Sequence, residues 1–176
     1  MTKDTVILYS STDGQTLKIC QRIKEQLESN GLVVDLFAID EFHNNINQYT
    51  LVIIGASIRY GVHHKKIIEF IHASKTILDT VKTVFFSVNL VARKAEKNTP
   101  NTNPYVIKFF KNIDWKPTLV EVFAGKLDYK KYPFFDRIMI QFIMWMTKGP
   151  TDTNSEIEYT NWKKVQLFSE KILSLK

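Results

Sequence analysis

Short apolar runs alternate along this chain with segments in which apolar residues recur at three- and four-residue spacing. That spacing is typical of an amphipathic helix, whereas a short apolar run bounded by turn residues is typical of a buried strand. The runs predict five strands, at residues 5–10, 32–37, 51–57, 83–91 and 119–125. The periodic segments predict four helices, at residues 15–29, 63–79, 104–112 and 160–175. Strands separated by helices indicate an α/β protein with a parallel sheet covered on both faces.

The order of the strands follows from the same alternation. Five parallel strands with intervening helices favour the doubly wound, flavodoxin-like order 2-1-3-4-5, in which ligands bind beyond the carboxyl ends of the strands. Continuous hydrophobicity in strands one, three and four indicates burial on both faces. The loops that follow these strands read SSTDGQT (10–16), SIRYG (57–61) and SVNLVARK (87–94). They form the predicted ligand site.

One segment does not fit the alternation. Residues 126–150 follow strand five, where a short turn would suffice, and residues 156–160 (EIEYT) have strand character. Strand five is therefore expected to resume after an inserted helical segment. We expect a single domain over residues 1–176 with the insertion, residues 126–150, within strand five.

The composition is that of a folded chain, because 44% of its 176 residues are apolar. One cysteine, Cys20, excludes a disulfide framework and suits the cytoplasm. It lies on the apolar face of the first helix, which favours a buried hydrophobe over a redox thiol. The longest strongly apolar stretch, residues 138–146, is about half of a membrane span. No signal peptide is expected.

The net charge of +6 favours an anionic ligand or a lipid surface, although solubility alone would also explain it. No helix-turn-helix, RNP or zinc pattern is present, so no nucleic-acid partner is expected. No cluster of Cys, His or carboxylates has metal-ligand spacing, so no metal is expected either.

The loop SSTDGQT joins a strand to a helix and is rich in hydroxyl groups. Backbone N–H groups at the start of a helix attract a phosphate, and Gly14 allows its close approach. The loop has neither the Walker pattern nor G-x-G-x-x-G. A monophosphate is therefore favoured over a triphosphate, while a plain helix N-cap remains an equal alternative.

Several stretches together carry a resemblance. STDGQT (11–16) is similar to the phosphate loop STTGNT of flavodoxins. GASIRYG, FFSVNLVARK, PNTNPY (100–105), YPFFDRIMI (132–140) and TDT (151–153) resemble, in this order, the flavodoxin-type protoporphyrinogen oxidases of haem biosynthesis. The resemblance runs nearly end to end. It implies an FMN enzyme that oxidises protoporphyrinogen IX and reduces a quinone, menaquinone or ubiquinone.

The resemblance also implies site residues. The cofactor-binding residues would be Ser11, Thr12, Asp13, Gly14, Gln15, Thr16, Ser57, Arg59, Tyr60, Gly61, Ser87, Val88, Asn89, Leu90, Val91, Ala92, Arg93, Thr151 and Asp152. Candidates for a catalytic role are Arg59, His64 and Arg93. His63 and His64 open a helix beside the second loop, where a histidine can accept a substrate proton or simply cap the helix.

Two departures from flavodoxins have physical content. Asp13 replaces a threonine and places a carboxylate near the phosphate, which is unfavourable unless Asp13 turns away to cap the helix. Tyr60 is the remaining aromatic partner for the flavin, unless it merely packs. Four basic residues lie in or near these loops, namely Arg59, Arg93, Lys94 and Lys97. Their positive charge would make FMN easier to reduce, and the arginines would bind the propionates of the substrate. The alternative is that they form a solvated charged surface.

The insertion combines aromatic and basic residues, which is typical of a helix in a membrane interface. A buried helix or a contact in a homo-oligomer is the alternative. We expect residues 126–150 to lie outside the flavin loops, to be dispensable for FMN binding, and to hold the protein on the cytoplasmic face of the inner membrane. The rival functions are a flavodoxin-like electron carrier and an NAD(P)H:quinone reductase.

Overall fold

The computed structural model describes residues 3–175. The strands are β1 (Lys3–Ser10), β2 (Val34–Ala38), β3 (Tyr49–Arg59), β4 (Val62–His63), β5 (Lys82–Val88), β6 (Leu119–Phe123), β7 (Lys126–Asp128) and β8 (Glu156–Glu158). The helices are α1 (Gln15–Ser29), α2 (Lys65–Leu78), α3 (Pro104–Asn112), α4 (Phe134–Met146) and α5 (Trp162–Leu173). The parallel strands lie in the order β2-β1-β3-β5-β6, so the predicted order 2-1-3-4-5 is confirmed.

The central strands are buried on both faces, as their continuous hydrophobicity predicted. Ile7 and Phe86 pack on one face with apolar residues of α1 and α5. Leu8 and Phe85 pack on the other face with residues of α2 and α3. Cys20 is fully buried in the first of these layers, and burial raises the pKa of its thiol. The buried-hydrophobe interpretation of this cysteine is therefore supported.

The observed element ends differ from the predicted ones where a polar side chain caps a turn. Strand β5 ends at Val88 because the Asn89 side chain accepts a hydrogen bond from Ala92 N and caps the short 3-10 helix Leu90–Arg93. Helix α2 begins at Lys65, after His64, and α5 at Trp162, after Asn161. Capping residues have non-helical backbone, so these helices start later than their apolar periodicity suggests.

A hairpin that the sequence analysis missed extends the third strand. Strand β4 pairs antiparallel with β3, with Arg59 opposite Val62. The two residues between them, Tyr60 and Gly61, have φ values of 51° and 77°. Positive φ at both central positions defines a type I′ turn, which strongly prefers Asn and Gly. A tyrosine at the first position hides the turn from pattern-based prediction.

The insertion differs in detail from the prediction. Residues 156–160 do not resume strand five, because Glu156–Glu158 pairs antiparallel with Lys126–Asp128 in a separate two-stranded sheet. The two strands are the outgoing and returning ends of one excursion, so they run in opposite directions and pair with each other. The inserted segment therefore follows strand five rather than interrupting it. Within residues 3–175 no helix combines the length and apolarity required to cross a bilayer.

Candidate functional site

A cavity of about 490 Å³ lies beyond the carboxyl ends of β1, β3 and β5, between the three predicted loops and α4. The predicted cofactor residues that line it are Ser11, Asp13, Gln15, Thr16, Ser57, Arg59, Tyr60, Gly61, Val88, Asn89, Leu90, Val91 and Arg93. A more open depression of about 640 Å³ lies between α3 and β6 and contains none of the predicted site residues. The structure thus brings the three loops together around one concavity.

Six predicted cofactor residues are not among the lining residues, namely Thr12, Gly14, Ser87, Ala92, Thr151 and Asp152. Thr12 and Gly14 belong to the first loop itself. Thr151 and Asp152 are engaged elsewhere: the Thr151 carbonyl accepts from Gln141 Nε2 at 2.7 Å, and Asp152 Oδ1 accepts from Asn154 N at 2.9 Å. Asp152 opens a turn that ends at Ser155, whose N–H donates to the Asp152 carbonyl at 2.9 Å.

The first loop leaves the start of α1 open. Gly14 occupies the N-cap position in the left-handed region, with φ of 87°, and no side chain caps the helix. Ser11 Oγ accepts a hydrogen bond from Gly14 N at 3.1 Å. Thr16 Oγ1 is fully buried and has no hydrogen-bond partner in the described part of the chain. A buried donor without a partner is unfavourable, and an anionic group can accept hydrogen bonds from the Thr16 hydroxyl and from the N–H groups at the start of α1. This turn is therefore suited to an anionic group.

Two polar residues of this loop have other partners. Gln15 Nε2 donates to Thr160 Oγ1 at 2.8 Å, which ties the start of α1 to the chain just before α5. Asp13 does not cap α1, although capping was the condition for a carboxylate beside the phosphate. Its carboxylate instead lies 3.4 Å from Arg59 Nη1. Burial raises the pKa of Asp13 above its ordinary value, and the Arg59 guanidinium opposes that rise.

Arg59 is the centre of the second loop. Its guanidinium pairs with Asp13 of the first loop and with Asp136 of α4. It also lies 5.6 Å from the ring centroid of Tyr60 and 5.8 Å from that of Tyr132. Burial alone would lower the pKa of Arg59, but Asp13 and Asp136 together raise it. Arg59 is therefore a fixed cation whose charge is balanced by two carboxylates.

Tyr60 stands at the rim of the cavity with 64% of its surface exposed. Its hydroxyl donates to Asp136 Oδ1, and this hydrogen bond raises the pKa of Tyr60. The interpretation that Tyr60 merely packs in the core does not fit this exposure. Asp136 itself is only 7% exposed and uses its two carboxylate oxygens on Tyr60 and Arg59.

A buried chain of side chains supports the third loop. Asn89 Oδ1 accepts from Asn103 Nδ2 at 3.1 Å and from Ala92 N at 3.1 Å, and Asn89 Nδ2 donates to Ser87 Oγ at 3.2 Å. Ser87 Oγ in turn lies 2.9 Å from His63 Nε2. Ser87 thus supports the loop from beneath the cavity. A satisfied network of this kind holds a loop in one conformation.

Neither histidine beside the second loop lines the cavity. His63 packs edge-on against Phe85 and Phe109, and burial lowers its pKa to about 3, so its imidazole is neutral at physiological pH. His64 is exposed and caps α2, with Nδ1 accepting from Lys66 N at 3.3 Å. Of the two roles left open for His64, the structure provides the capping one.

Arg93 differs from Arg59 in its partners. Its guanidinium donates to the Leu90 carbonyl at 3.0 Å, and to the Thr147 carbonyl at 3.3 Å and hydroxyl at 2.7 Å. These are neutral oxygens, and no salt bridge to Arg93 is found within residues 3–175. Arg93 therefore presents an uncompensated positive charge to the cavity.

Helix α4 forms one wall of the cavity. Met139, Ile140, Ile143 and Met144 line it, together with Tyr132 and Asp136 at its near end. Residues 126–150 lie outside the three loops, as predicted, but α4 shares the cavity with them. The motif YPFFDRIMI carried this information, because its Tyr, Asp, Met and last Ile all reach the cavity. Gly125 and Lys126 also line it and had no separate signal in the sequence, whereas Tyr105 is the last residue of the motif PNTNPY.

The described residues contain no cluster of three or more His, Cys, Asp or Glu side chains that could hold a metal ion. The cavity has the uncapped start of α1 at one end, two arginines beside it and an apolar helix over it. Its volume falls in the range of about 300–1,000 Å³ that is usual for ligand pockets.

Comparison with known proteins agrees with this architecture. Residues 6–154 match the flavodoxin domain family. A quinone-type protoporphyrinogen IX dehydrogenase of Escherichia coli is 42% identical over 172 residues, which cover 97% of this chain and 95% of that protein. One of Leishmania major is 43% identical over 172 residues, covering 97% of this chain and 74% of that protein.

Among solved structures, Flavodoxin 1 from Bacillus cereus superposes with a TM-score of 0.50 at 17% identity, covering 82% of this chain and 97% of that one. This likeness concerns the fold alone. The alignment to the Escherichia coli dehydrogenase covers 97% of this chain and so includes the sheet, the three loops and the inserted segment. The chain thus belongs to the flavodoxin domain family and, within it, to the quinone-type protoporphyrinogen IX dehydrogenases.

Proposed function

We propose that this chain binds FMN, oxidises protoporphyrinogen IX to protoporphyrin IX, and transfers the electrons to a quinone of the membrane, menaquinone or ubiquinone. The observation that carries the proposal is the cavity in which an open phosphate turn, two arginines and an apolar helix meet. The 42% identity to a protein named for this reaction supports the choice of substrate and acceptor.

The residues of the first loop fit the phosphate of FMN. The uncapped start of α1 offers backbone N–H groups, and the unpaired Thr16 hydroxyl is available as a further donor. Ser11 and Thr12 add hydroxyl groups on the same turn. The second and third loops, around Tyr60 and Asn89, would hold the isoalloxazine ring. When bound, FMN supplies the redox chemistry, and the protein supplies binding, orientation and electrostatics.

The charged residues of the cavity divide into two roles. Arg93 keeps a net positive charge, which suits a propionate of the tetrapyrrole and makes a nearby flavin easier to reduce. Arg59 is balanced by Asp13 and Asp136 and so contributes less free charge. Apolar side chains toward the packed end of α4, Ile140, Ile143 and Met144, would contact a large flat substrate.

The outward face of α4 supports peripheral attachment to an anionic lipid surface. Phe134, Phe135, Ile138 and Trp145 are half or more exposed. Exposed lysines flank them, at positions 130, 131 and 148. An exposed apolar face bordered by cations is typical of a helix in a membrane interface. We propose that α4 holds the chain on the cytoplasmic face of the inner membrane, where a lipophilic quinone is available.

The membrane proposal is tested with liposomes of neutral lipid and of neutral lipid with added anionic lipid. Co-sedimentation that requires the anionic lipid and is lost at high salt supports it. A concentration-dependent dimer without co-sedimentation would instead assign the face to a contact between copies of this chain.

The whole function is tested by anaerobic titration of the purified flavoprotein with protoporphyrinogen IX, following bleaching of the flavin and fluorescence of the porphyrin. Rapid bleaching with porphyrin formation, reversed by a quinone, supports the proposal. A flavin that protoporphyrinogen leaves oxidised but NADH or NADPH reduces rapidly would favour the NAD(P)H:quinone reductase. An electron carrier is disfavoured by the positive charge of the chain and by the long segment after β6.

A further inference from the structure

Helix α4 covers the cavity but is weakly held. Of its 13 residues only Asp136 and Met144 are buried. The other residues are partly or fully exposed, so little apolar surface anchors the helix. A helix with few buried contacts opens at a low free-energy cost compared with the core. The contacts at its two ends therefore decide how α4 stays on the cavity.

The two ends of α4 are attached differently. At the far end, Met144 packs in a cluster with Leu127, Tyr129 and Tyr132. A Cβ atom on Gly149, just beyond the helix, would lie 2.6 Å from Met144 Sδ and 2.9 Å from Arg93 Nη2, so the chain is tightly packed there. At the near end the attachment is polar, through Asp136 to Arg59 and Tyr60.

The polar attachment joins two elements of different character. Arg59 belongs to the rigid sheet, at the end of β3, whereas Asp136 belongs to the weakly packed helix. Arg59 also pairs with a second carboxylate, that of Asp13 in the first loop. This pair still balances the charge of Arg59 when Asp136 moves away. A carboxylate can be exchanged for another carboxylate on an arginine without leaving a buried charge unpaired.

We propose that Arg59 and Asp136 form a latch that a carboxylate of the ligand opens. A propionate of the incoming tetrapyrrole takes the place of the Asp136 carboxylate on Arg59. The near end of α4 then swings away from the cavity about the packed end at Met144 and Gly149. Arg59 is thus a specificity-determining residue, because a macrocycle without free carboxylates cannot open the latch. This inference rests on the proposed substrate.

The experiment measures amide hydrogen exchange in residues 134–147 of the FMN-bound protein, alone and with protoporphyrin IX or its dimethyl ester. Without ligand, the amides of this segment should exchange at least ~10-fold faster in Asp136→Asn than in wild type, because the ion pair with Arg59 is lost. Tyr60→Phe should give a smaller increase, because the ion pair survives. Asp79→Asn, which removes an exposed carboxylate paired with Lys75 on α2, is the matched control and should leave α4 unchanged.

In wild type, protoporphyrin IX should raise the exchange of this segment and the dimethyl ester should not. In Asp136→Asn neither porphyrin should raise it further. Equal exchange in Asp136→Asn and wild type, or an equal response of wild type to both porphyrins, would overturn the latch. Turnover of protoporphyrinogen is measured in parallel. Normal turnover with an unresponsive α4 rejects the latch and leaves the proposed function standing. A third outcome is that α4 exchanges faster in Asp136→Asn but the wild type does not turn over protoporphyrinogen. This result rejects the proposed function, and with it the porphyrin as the ligand that opens the latch.

Discussion

The parallel sheet and helix α4 lie on opposite sides of the same cavity and are stabilised in different ways. The apolar residues of β3 from Leu51 to Ile54, and Ala56, are 2% exposed or less, and the strand lies between two layers of helices. In α4 apolar residues face outward as well as inward, and Phe135 is 82% exposed. Apolar side chains in the sheet are enclosed and provide stability, whereas many of those of α4 line the cavity or are exposed at the surface.

The largest expected effect lies in the sheet. Phe86→Ala removes a fully buried ring that contacts Phe123 and Phe168. It should lower the free energy of unfolding by about 3–5 kcal/mol, measured by urea denaturation. Phe135→Ala on α4 is the matched control and should change it by less than about 0.5 kcal/mol. Similar losses in both variants would show that α4 packs as part of the core.

The next effect separates ligand binding from folding at the cavity. Thr16→Val removes a buried hydroxyl that has no partner in the described part of the chain. The free energy of unfolding without FMN should be unchanged or slightly higher, while FMN binding should weaken by about 1.5–3 kcal/mol, because a hydrogen bond to a charged acceptor is lost. Fluorescence quenching measures the affinity. Thr118→Val, remote from the cavity, serves as control. Unchanged affinity would place the phosphate elsewhere.

A pH effect of similar size comes from His63, below the third loop. Its pKa is lowered by burial from 6.5 to about 3. As the pH falls the unfolded chain binds this proton first, so the stability is complete above about pH 6.5 and is lost progressively down to about pH 3. At pH 5 the loss from this residue should be about 2 kcal/mol.

The measurement compares urea denaturation at pH 7 and pH 5 for wild type, His63→Gln and His72→Gln. Between pH 7 and pH 5 the free energy of unfolding should fall by about 2 kcal/mol less in His63→Gln than in wild type. In His72→Gln, which changes an exposed histidine, it should fall as much as in wild type. An identical pH dependence in wild type and His63→Gln would mean that His63 binds a proton as readily in the folded protein as in the unfolded chain.

The smallest effect on stability is expected on the outward face of α4. Phe135→Ser combined with Trp145→Ser changes two exposed rings, so the free energy of unfolding should change by less than about 1 kcal/mol in total. Co-sedimentation with anionic liposomes should nevertheless fall at least about tenfold. Leu167→Ser, an exposed apolar residue of α5, is the control. Retained co-sedimentation in the double variant would reject this face as the membrane contact.

The same contrast explains how far the sequence alone could lead. The sheet was predictable because burial on both faces imposes continuous apolar runs, and the order of the strands was confirmed. The three loops were found because each follows such a run. The hairpin at Tyr60 was missed because a tyrosine occupies a position where asparagine or glycine is the usual signal. The Arg59–Asp136 pair joins residues 77 positions apart, and no local periodicity reports such a contact.

The orientation of α4 was the other unpredictable feature. A helix that is apolar on both faces has no polar stripe to indicate which side faces the protein. The pattern at residues 134–146 was therefore compatible with an interface helix lying apart from the site and with a wall of the cavity. The position of Asp136, the one buried carboxylate of the helix, decides between them.

The burial of Cys20 has a practical consequence. The chain contains one cysteine, and its thiol is enclosed in the core and held protonated. The thiolate is the nucleophile that attacks thiol reagents, so the folded protein, with its buried and protonated thiol, should not react with them. A cysteine introduced on the exposed surface of α4 would then be the one site of labelling. Spin or fluorescent probes placed there can follow the movement of the helix in the otherwise native chain, without prior removal of competing thiols.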